Sequence, residues 1–306
     1  MYFIAEIGVN HEANLKKALK CIKDAKDGGA QAVKLQCYKA EKLASKYAGA
    51  YWDKKEEKEN SQLKLYQKFD KFNFSDYQKI INYCKKIKID FIITPFDIDS
   101  INFFKNKVKY FKISSSDITN LPLIEKIAQT KKPVILSTGA SNKVEIVRAH
   151  NILKKKVKKI ILLHCILNYP TSKNNANLSM INDLKDINKI VGLSDHSIPK
   201  DSHKILIYSY LMGVRYIEKH FTINKKKGGN DHFHSFDKND LKLFFQGIKE
   251  VKIILGMDKK KYLKSEIISR LNARRSIFYS NNLKKGSIIK KEDLIMLRPA
   301  IGENPF

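Results

Sequence analysis

Two lysines and two histidines carry the chemistry that this sequence suggests. Lys34 in AVKLQCY (32–38) and Lys112 in YFKISS (110–115) stand inside apolar runs, where an ammonium group needs a partner or an anionic ligand. Thr94, Ser115, Ser137 and Ser194 end neighbouring runs of the same kind. Together they would form a cationic, hydroxyl-lined site suited to a phosphate plus a carboxylate. His196 closes IVGLSDH (190–196) and His220 falls in YIEKHFT (216–222). Imidazoles at the ends of adjacent strands, roughly 4.8 Å apart, can share one divalent ion. Two nitrogens with the other positions open to water suit Mn²⁺ or a similar ion acting as a Lewis acid. Further strand ends supply Glu6, Gln36, Phe96, Asp117, His164, Tyr169 and Glu218, with Asp231 beyond the last. Taken singly, each has an ordinary reading: a core histidine, a structural ion pair, a turn-forming serine. Their convergence on one face of one fold is the argument. Asp195 is the exception, because strand alternation points it away from that face, so a supporting role is expected.

The elements that would position these groups recur along the chain. Eight short runs rich in Ile, Val, Leu or Phe are YFIAEIG (2–8), AVKLQCY (32–38), FIITPF (91–96), YFKISS (110–115), PVILSTG (133–139), KIILLHC (159–165), IVGLSDH (190–196) and YIEKHFT (216–222). Such runs suit strands buried on both faces of a parallel sheet. Helical patterns separate them. Leu15, Leu19, Ile22 and Ala25 repeat on one face before Gly28-Gly29. Ser75 with Gln78 forms a candidate capping box, and Asp237 a candidate cap. Eight strands alternating with helices predict an α/β (β/α)8 TIM barrel over 1–256, with active-site residues at the C-terminal strand ends. The stretch 41–68 is too long for a plain connection and reads as a helical insertion or lid. Residues 257–271 read as a linker. Residues 272–306 read as a small appended β-rich domain with a turn at Lys285-Gly286.

Composition narrows the function classes. The net charge is +28, from 59 Lys+Arg against 31 Asp+Glu. The excess is mostly lysine in runs such as KKKVKK (154–159), interleaved with apolar residues, which suggests solvated faces. An anionic substrate is compatible with it. No zinc-finger, RRM or KH signature is visible, so no nucleic-acid partner is expected. No apolar run reaches the ~18 residues of a membrane span, so no membrane partner is expected. The N-terminus lacks the pattern of a signal peptide, and four scattered cysteines (Cys21, Cys37, Cys84, Cys165) read as reduced thiols, so a cytoplasmic location is expected.

The motifs IAEIGVNHE, AVKLQ, TPFD, FKISSSD, ILSTGAS, LLHC…YPT, GLSDHS, IEKHFT and RRS…LKKG…RP, in this order over nearly the whole chain, resemble the sialic acid synthase (nonulosonic acid synthase) family. The resemblance implies a (β/α)8 barrel with a C-terminal antifreeze-like (SAF) domain and a domain-swapped homodimer. It implies condensation of phosphoenolpyruvate with an N-acyl hexosamine such as N-acetylmannosamine, releasing phosphate. Legionaminic or pseudaminic acid synthesis, from a diacetamido-trideoxy hexose, is the alternative. By position, His196 and His220 would hold the metal, Mn²⁺ with Mg²⁺ or Co²⁺ as alternatives. Lys34, Thr94, Lys112, Ser115, Ser137 and Ser194 would surround phosphoenolpyruvate. Gln36, Phe96, Asp117, Tyr169 and Asp231 would face the sugar, as would Glu6, the candidate base. Arg298 would reach the sugar's acyl group from the partner subunit.

Departures from the family pattern are visible as well. Asp117 stands where many relatives have Glu, and Leu167 where some have Asn. The chain stops at IGENPF where relatives continue through a further strand and helix, which implies a half-length, apparently truncated SAF domain. Two other classes remain open on the residues alone: a related enzyme acting on a phosphorylated sugar, and a non-catalytic saccharide- or nucleic-acid-binding protein. Strand-end lysines and paired histidines inside a barrel mouth argue against the second.

Overall fold

The structure is a computed structural model that describes residues 1–227, 229 and 231–306. Its residues form two compact units, Met1–Glu250 and Val251–Phe306. The division falls inside the helix Lys238–Leu255, and the expected boundary at 256 lies at that helix's end.

In the first unit every expected run forms a strand. These are β1 (Tyr2–Gly8), β2 (Ala32–Cys37), β3 (Asp90–Pro95), β4 (Tyr110–Ile113), β5 (Val134–Ser137), β6 (Ile160–Cys165), β7 (Val191–Asp195) and β8 (Tyr216–His220). All pair in parallel, in sequence order, and β8 closes on β1. This is the (β/α)8 barrel, with helices between the strands. Side chains alternate between the interior and the helix layer. Ile4, Ala32, Ile92, Tyr110, Ile135, Ile161 and Leu163 cluster inside as an apolar floor, with Tyr2 and Tyr216 packed against it. In six of the strands the same face becomes polar two residues further along. Ile4 gives way to Glu6, Ala32 to Lys34, Ile92 to Thr94, Tyr110 to Lys112, Ile135 to Ser137 and Tyr216 to Glu218. Gly192 is required by close approach, because a Cβ there would run into the Tyr216 carbonyl and the Leu163 side chain.

The helices follow their caps, with one correction. Gly29, at φ 105°, ends the helix Leu15–Gly28, and the Asp237 carboxylate accepts from the Asp240 N–H at the start of Lys238–Leu255. The capping box of the helix Phe74–Lys86, however, is Asn73 with Asp76, not Ser75 with Gln78. The helix starts two residues earlier, so Ser75 falls within its first turn, and Gln78 instead donates to Asn82 one turn on. The 41–68 stretch is a helical insertion, made of the helices Ala40–Leu43 and Gln62–Phe69 and an intervening loop. That loop is held by the Trp52 indole, which donates to the Glu57 and Glu59 carbonyls, 3.2 Å each. The KKKVKK run behaves as expected, with Lys154, Lys155, Lys156 and Lys158 exposed and Val157 buried. All four cysteines are buried and free. No helix among the described residues is long and apolar enough to cross a membrane.

The second unit holds the helix Ile267–Ala273, which crosses the end of the expected linker at 271, and the antiparallel pair β9 (Ser276–Tyr279) and β10 (Leu294–Leu297). Ser276 is its buried centre: its hydroxyl donates to the Pro299 carbonyl and accepts from the Gly302 N–H. Most of its apolar side chains are exposed, Ile268 and Ile288 among them.

Candidate active site

The polar layer above the floor is an ion-paired chamber. Lys34 Nζ lies 2.6 Å from Glu6 Oε2 and donates to Thr94 Oγ1 at 3.1 Å. Lys112 Nζ donates to Ser137 Oγ at 2.7 Å. Both ammonium groups approach one oxygen, Glu218 Oε1, at 3.8 and 3.7 Å, and the Ser194 hydroxyl donates to the same atom at 3.1 Å. All of these side chains are buried. Burial alone would raise the Glu218 carboxyl, but Lys112 and Lys34 hold it below its ordinary value. Burial would lower Lys34, yet Glu218 and Glu6 raise it, whereas burial prevails at Lys112 and lowers it. At Glu6 burial outweighs Lys34 and pushes the carboxyl up. Ser115 faces the same chamber, where its hydroxyl accepts from the Gly139 N–H at 2.9 Å. The structure therefore brings Lys34, Thr94, Lys112, Ser115, Ser137 and Ser194 together, beside Glu6, Gln36, Phe96, Tyr169, His196 and His220.

Three imidazoles gather at the chamber's rim. His196 and His220 have ring centres 5.4 Å apart, and His234 lies 4.9 Å from His220 and 6.4 Å from His196. His196 Nδ1 donates to the Ile166 carbonyl at 2.9 Å, which leaves Nε2 free to act as a ligand. His220, Asp231 and His234 bring ligand atoms within 4.8 Å of one another. Both ring nitrogens of His234 and Nδ1 of His220 are buried without a hydrogen-bond partner. Burial keeps the three rings neutral: His196 is pushed down to about 4, and His220 and His234 fall well below the ordinary histidine range. Neutral imidazoles with orphaned nitrogens beside a carboxylate fit a divalent cation. Burial, reinforced by the nearby Glu6 charge, pushes the Asp231 carboxyl up to about 7.

Outside the chamber lies a cavity of about 420 Å³, sharing Gln36, Phe96, Ser114, Leu167, Tyr169 and His220 with it. Asp117 and Asp231 line this cavity. Asp117 Oδ1 accepts from Asn120, while Oδ2 is buried without a partner. Leu167 also lines it. Arg298 belongs to the second unit, just after β10.

Some side chains differ from the sequence reading. His164, taken as a strand-end group, points out of the barrel and bonds the Ala176 carbonyl at 2.8 Å, and Cys165 takes the chamber position. One residue of phase along β6 decides this. His234 was not singled out, although the spacing in DHFH (231–234), next to a candidate Asp231, is a usable signal. Asp195 faces outward as expected. It pairs with Lys219 at 2.8 Å and accepts from the Ser197 and Ser202 hydroxyls.

A parallel (β/α)8 barrel with a buried, lysine-lined chamber and a histidine cluster at its mouth defines a barrel enzyme for an anionic substrate. Residues 21–260 match the model of the NeuB family. The chain is 39% identical to an N,N'-diacetyllegionaminic acid synthase of Campylobacter jejuni, over 98% of this chain and 90% of that protein. It is 30% identical to a pseudaminic acid synthase of the same organism, over 100% of this chain and 89% of that protein. The structure superposes on an N-acetylneuraminic acid (sialic acid) synthetase of Leptospira borgpetersenii with a TM-score of 0.75, at 33% identity, covering 88% of this chain and 89% of that one. The chain belongs to the NeuB family, and it is an enzyme of that family's synthase class.

Proposed function

We propose that this enzyme condenses phosphoenolpyruvate with an N-acylated aminosugar to give a nonulosonic acid and phosphate. The motif resemblance implies N-acetylmannosamine as the acceptor; the likeness to a legionaminic acid synthase supports a diacetamido-trideoxy hexose. The observation that carries the reaction is the convergence of Lys34 and Lys112 on one Glu218 oxygen inside a serine- and threonine-lined chamber.

Phosphoenolpyruvate would exchange its phosphate and carboxylate oxygens for the Glu218 and Glu6 contacts of the two lysines, with Thr94, Ser115, Ser137 and Ser194 donating hydroxyls. A divalent cation held by His196, His220, Asp231 and His234, with Mn²⁺ our choice, would supply Lewis-acid polarisation of the open-chain aldehyde. The aldehyde faces the chamber, and C3 of phosphoenolpyruvate attacks its carbon, leaving the aldehyde oxygen as an alkoxide. The resulting C2 cation is stabilised by the buried carboxylates and captured by water. Glu6, made more basic by burial, accepts one proton of that water, and the alkoxide takes up a proton to become the product's hydroxyl. The C2–O bond to phosphate then breaks as the C2 hydroxyl passes its proton to the departing phosphate and becomes the ketone, with Lys34 and Lys112 stabilising the charge on phosphate. Gln36, whose amide donates to Glu6 Oε1 at 3.1 Å, positions that base.

The second unit would be the antifreeze-like module. Its exposed Ile268 and Ile288 support a homodimer in which Arg298 reaches the acyl group in the partner's barrel. Free buried cysteines support a cytoplasmic setting. The test is phosphate release, read with the mass of the organic product. It should require phosphoenolpyruvate, an N-acyl aminosugar and a divalent ion together, and Lys112→Met should lower it by at least ~100-fold, the scale of one lost electrostatic donor. Phosphate release independent of sugar, or unaffected by Lys112→Met, would refute the assignment.

A further inference from the structure

Two of the four groups proposed to hold the cation, Asp231 and His234, stand outside any helix or strand. Residues 231–234 are a run of turns. A ligand on a strand is placed by the strand's ladder; one in a turn is placed by the hydrogen bonds that tie the turn down. Beside β8 the returning chain makes a single parallel bridge, Phe221 with Phe236. There the His220 carbonyl accepts from the Phe236 N–H at 2.8 Å, and the Phe236 carbonyl accepts from the Thr222 N–H at 2.9 Å. This bridge fixes the end of the return, not the turns that precede it.

A side chain from another strand end supplies the missing tie. Asn10 follows β1, the strand that carries Glu6, and is 1% exposed. Its amide donates one proton to the Phe221 carbonyl and the other to Ser235 Oγ, at 3.0 Å each. The fully buried Ser235 hydroxyl donates in turn to the Asp231 carbonyl. Phe221 follows His220, Ser235 follows His234, and the last acceptor is Asp231 itself. One amide is thus tied to the backbone at, or one residue from, three candidate ligands, whose ligand atoms lie within 4.8 Å of one another. The amide's own oxygen, Oδ1, is buried without a hydrogen-bond partner. Such an orphan costs stability, yet turning the amide over would set that oxygen against the Phe221 carbonyl. Asn10 gives up one interaction and keeps both donations. On the other side of the turn, His232 Nδ1 and Thr222 Oγ1 are 2.7 Å apart. Neither Asn10 nor Ser235 lines the chamber or the 420 Å³ cavity, so neither is placed to touch a substrate.

We infer that Asn10 and Ser235 are positioning residues for the divalent cation. The chain of hydrogen bonds from Asn10 through Ser235 to Asp231 holds Asp231 and His234 where they share one ion with His220. This inference rests on the cation placement proposed above.

Calorimetric titration of the metal-free enzyme with Mn²⁺, and separately with phosphoenolpyruvate, tests it. Asn10→Ala should raise the Mn²⁺ Kd about 10- to 100-fold and Ser235→Ala about 10-fold, the scale for residues that orient metal ligands. The double variant should bind Mn²⁺ no more weakly than Asn10→Ala, because both substitutions cut the same chain. The Kd of phosphoenolpyruvate should keep its native value in all three, whereas a general loosening of the barrel would weaken it as well. Melting temperatures are recorded beside each titration, and if Asn10→Ala does not fold, Ser235→Ala decides alone. Native Mn²⁺ affinity in the variants, or equal weakening of Mn²⁺ and phosphoenolpyruvate, would overturn the inference while leaving the cation placement intact. A native enzyme that binds no Mn²⁺ would instead overturn that placement, and this inference with it.

Discussion

Replacing Asp195 with asparagine separates a structural charge from a catalytic one. Asp195 and Lys219 are 5% and 1% exposed and project from β7 and β8 toward the helices, away from the chamber. Their charged atoms lie 2.8 Å apart. With an effective dielectric of about 20, a pair at that distance attracts by roughly 6 kcal/mol, much of it offset by desolvation of the two ions. Asparagine keeps the shape but leaves the Lys219 ammonium facing only neutral oxygens, including the Asp195 and Ser197 carbonyls. An uncompensated buried charge of this kind costs about 3–5 kcal/mol. That corresponds to a fall of about 6–20 °C in the melting temperature of a unit this large. Asp195→Leu combined with Lys219→Met removes both charges and should recover most of the loss. Below its unfolding transition the asparagine variant should keep the native KM for phosphoenolpyruvate. Acid provides a second readout. Burial alone would raise the Asp195 carboxyl, but Lys219, with Ser202 and Ser197, holds it at about 2. The carboxylate's stabilisation is therefore present above about pH 4 and is lost as pH falls toward 2, and the variant should lack that part of the acid-side slope. An unchanged melting temperature together with lost activity would place Asp195 in the chemistry and refute this reasoning.

Two other outcomes follow from the geometry. His234→Ala should weaken divalent-ion binding at least ~10-fold by calorimetric titration; an unchanged Kd would leave the ion to His196 and His220 without it. Gly192→Ala should cost about 1–3 kcal/mol in urea unfolding, because the new methyl has no room between Tyr216 and Leu163; native stability would mean that the barrel packs more loosely there than described.

The barrel was legible because its strands are buried on both faces, and a doubly buried strand is an uninterrupted apolar run. The lysines stood out for the same reason: a charge inside such a run has few explanations. Phase was harder. In β6 both His164 and Cys165 follow four apolar residues, and only the shear of the closed barrel decides which one faces inward. The Asn73–Asp76 box was missed because Ser75–Gln78 has the same spacing two residues on, and the choice depends on where the backbone turns. His234 lies beyond the last strand, in a segment whose fold no periodicity reports. The insertion was legible as an insertion, but its cavity-facing side was not. Gln62, Leu65, Tyr66 and Phe69, which line the cavity, read as an ordinary amphipathic stripe until the barrel mouth is placed opposite them.

The apolar floor formed by Ile4, Ala32, Ile92, Tyr110, Ile135, Ile161 and Leu163 has a consequence for traffic. It lies beneath the chamber, whose Gln36, Phe96, Ser114, Leu167, Tyr169 and His220 also line the wider cavity above. On the proposed reaction, a sugar filling that cavity would cover the smaller anion below it. Phosphoenolpyruvate would then bind before the sugar, and phosphate would leave after the organic product. Product-inhibition patterns check this, and random-order binding would refute it.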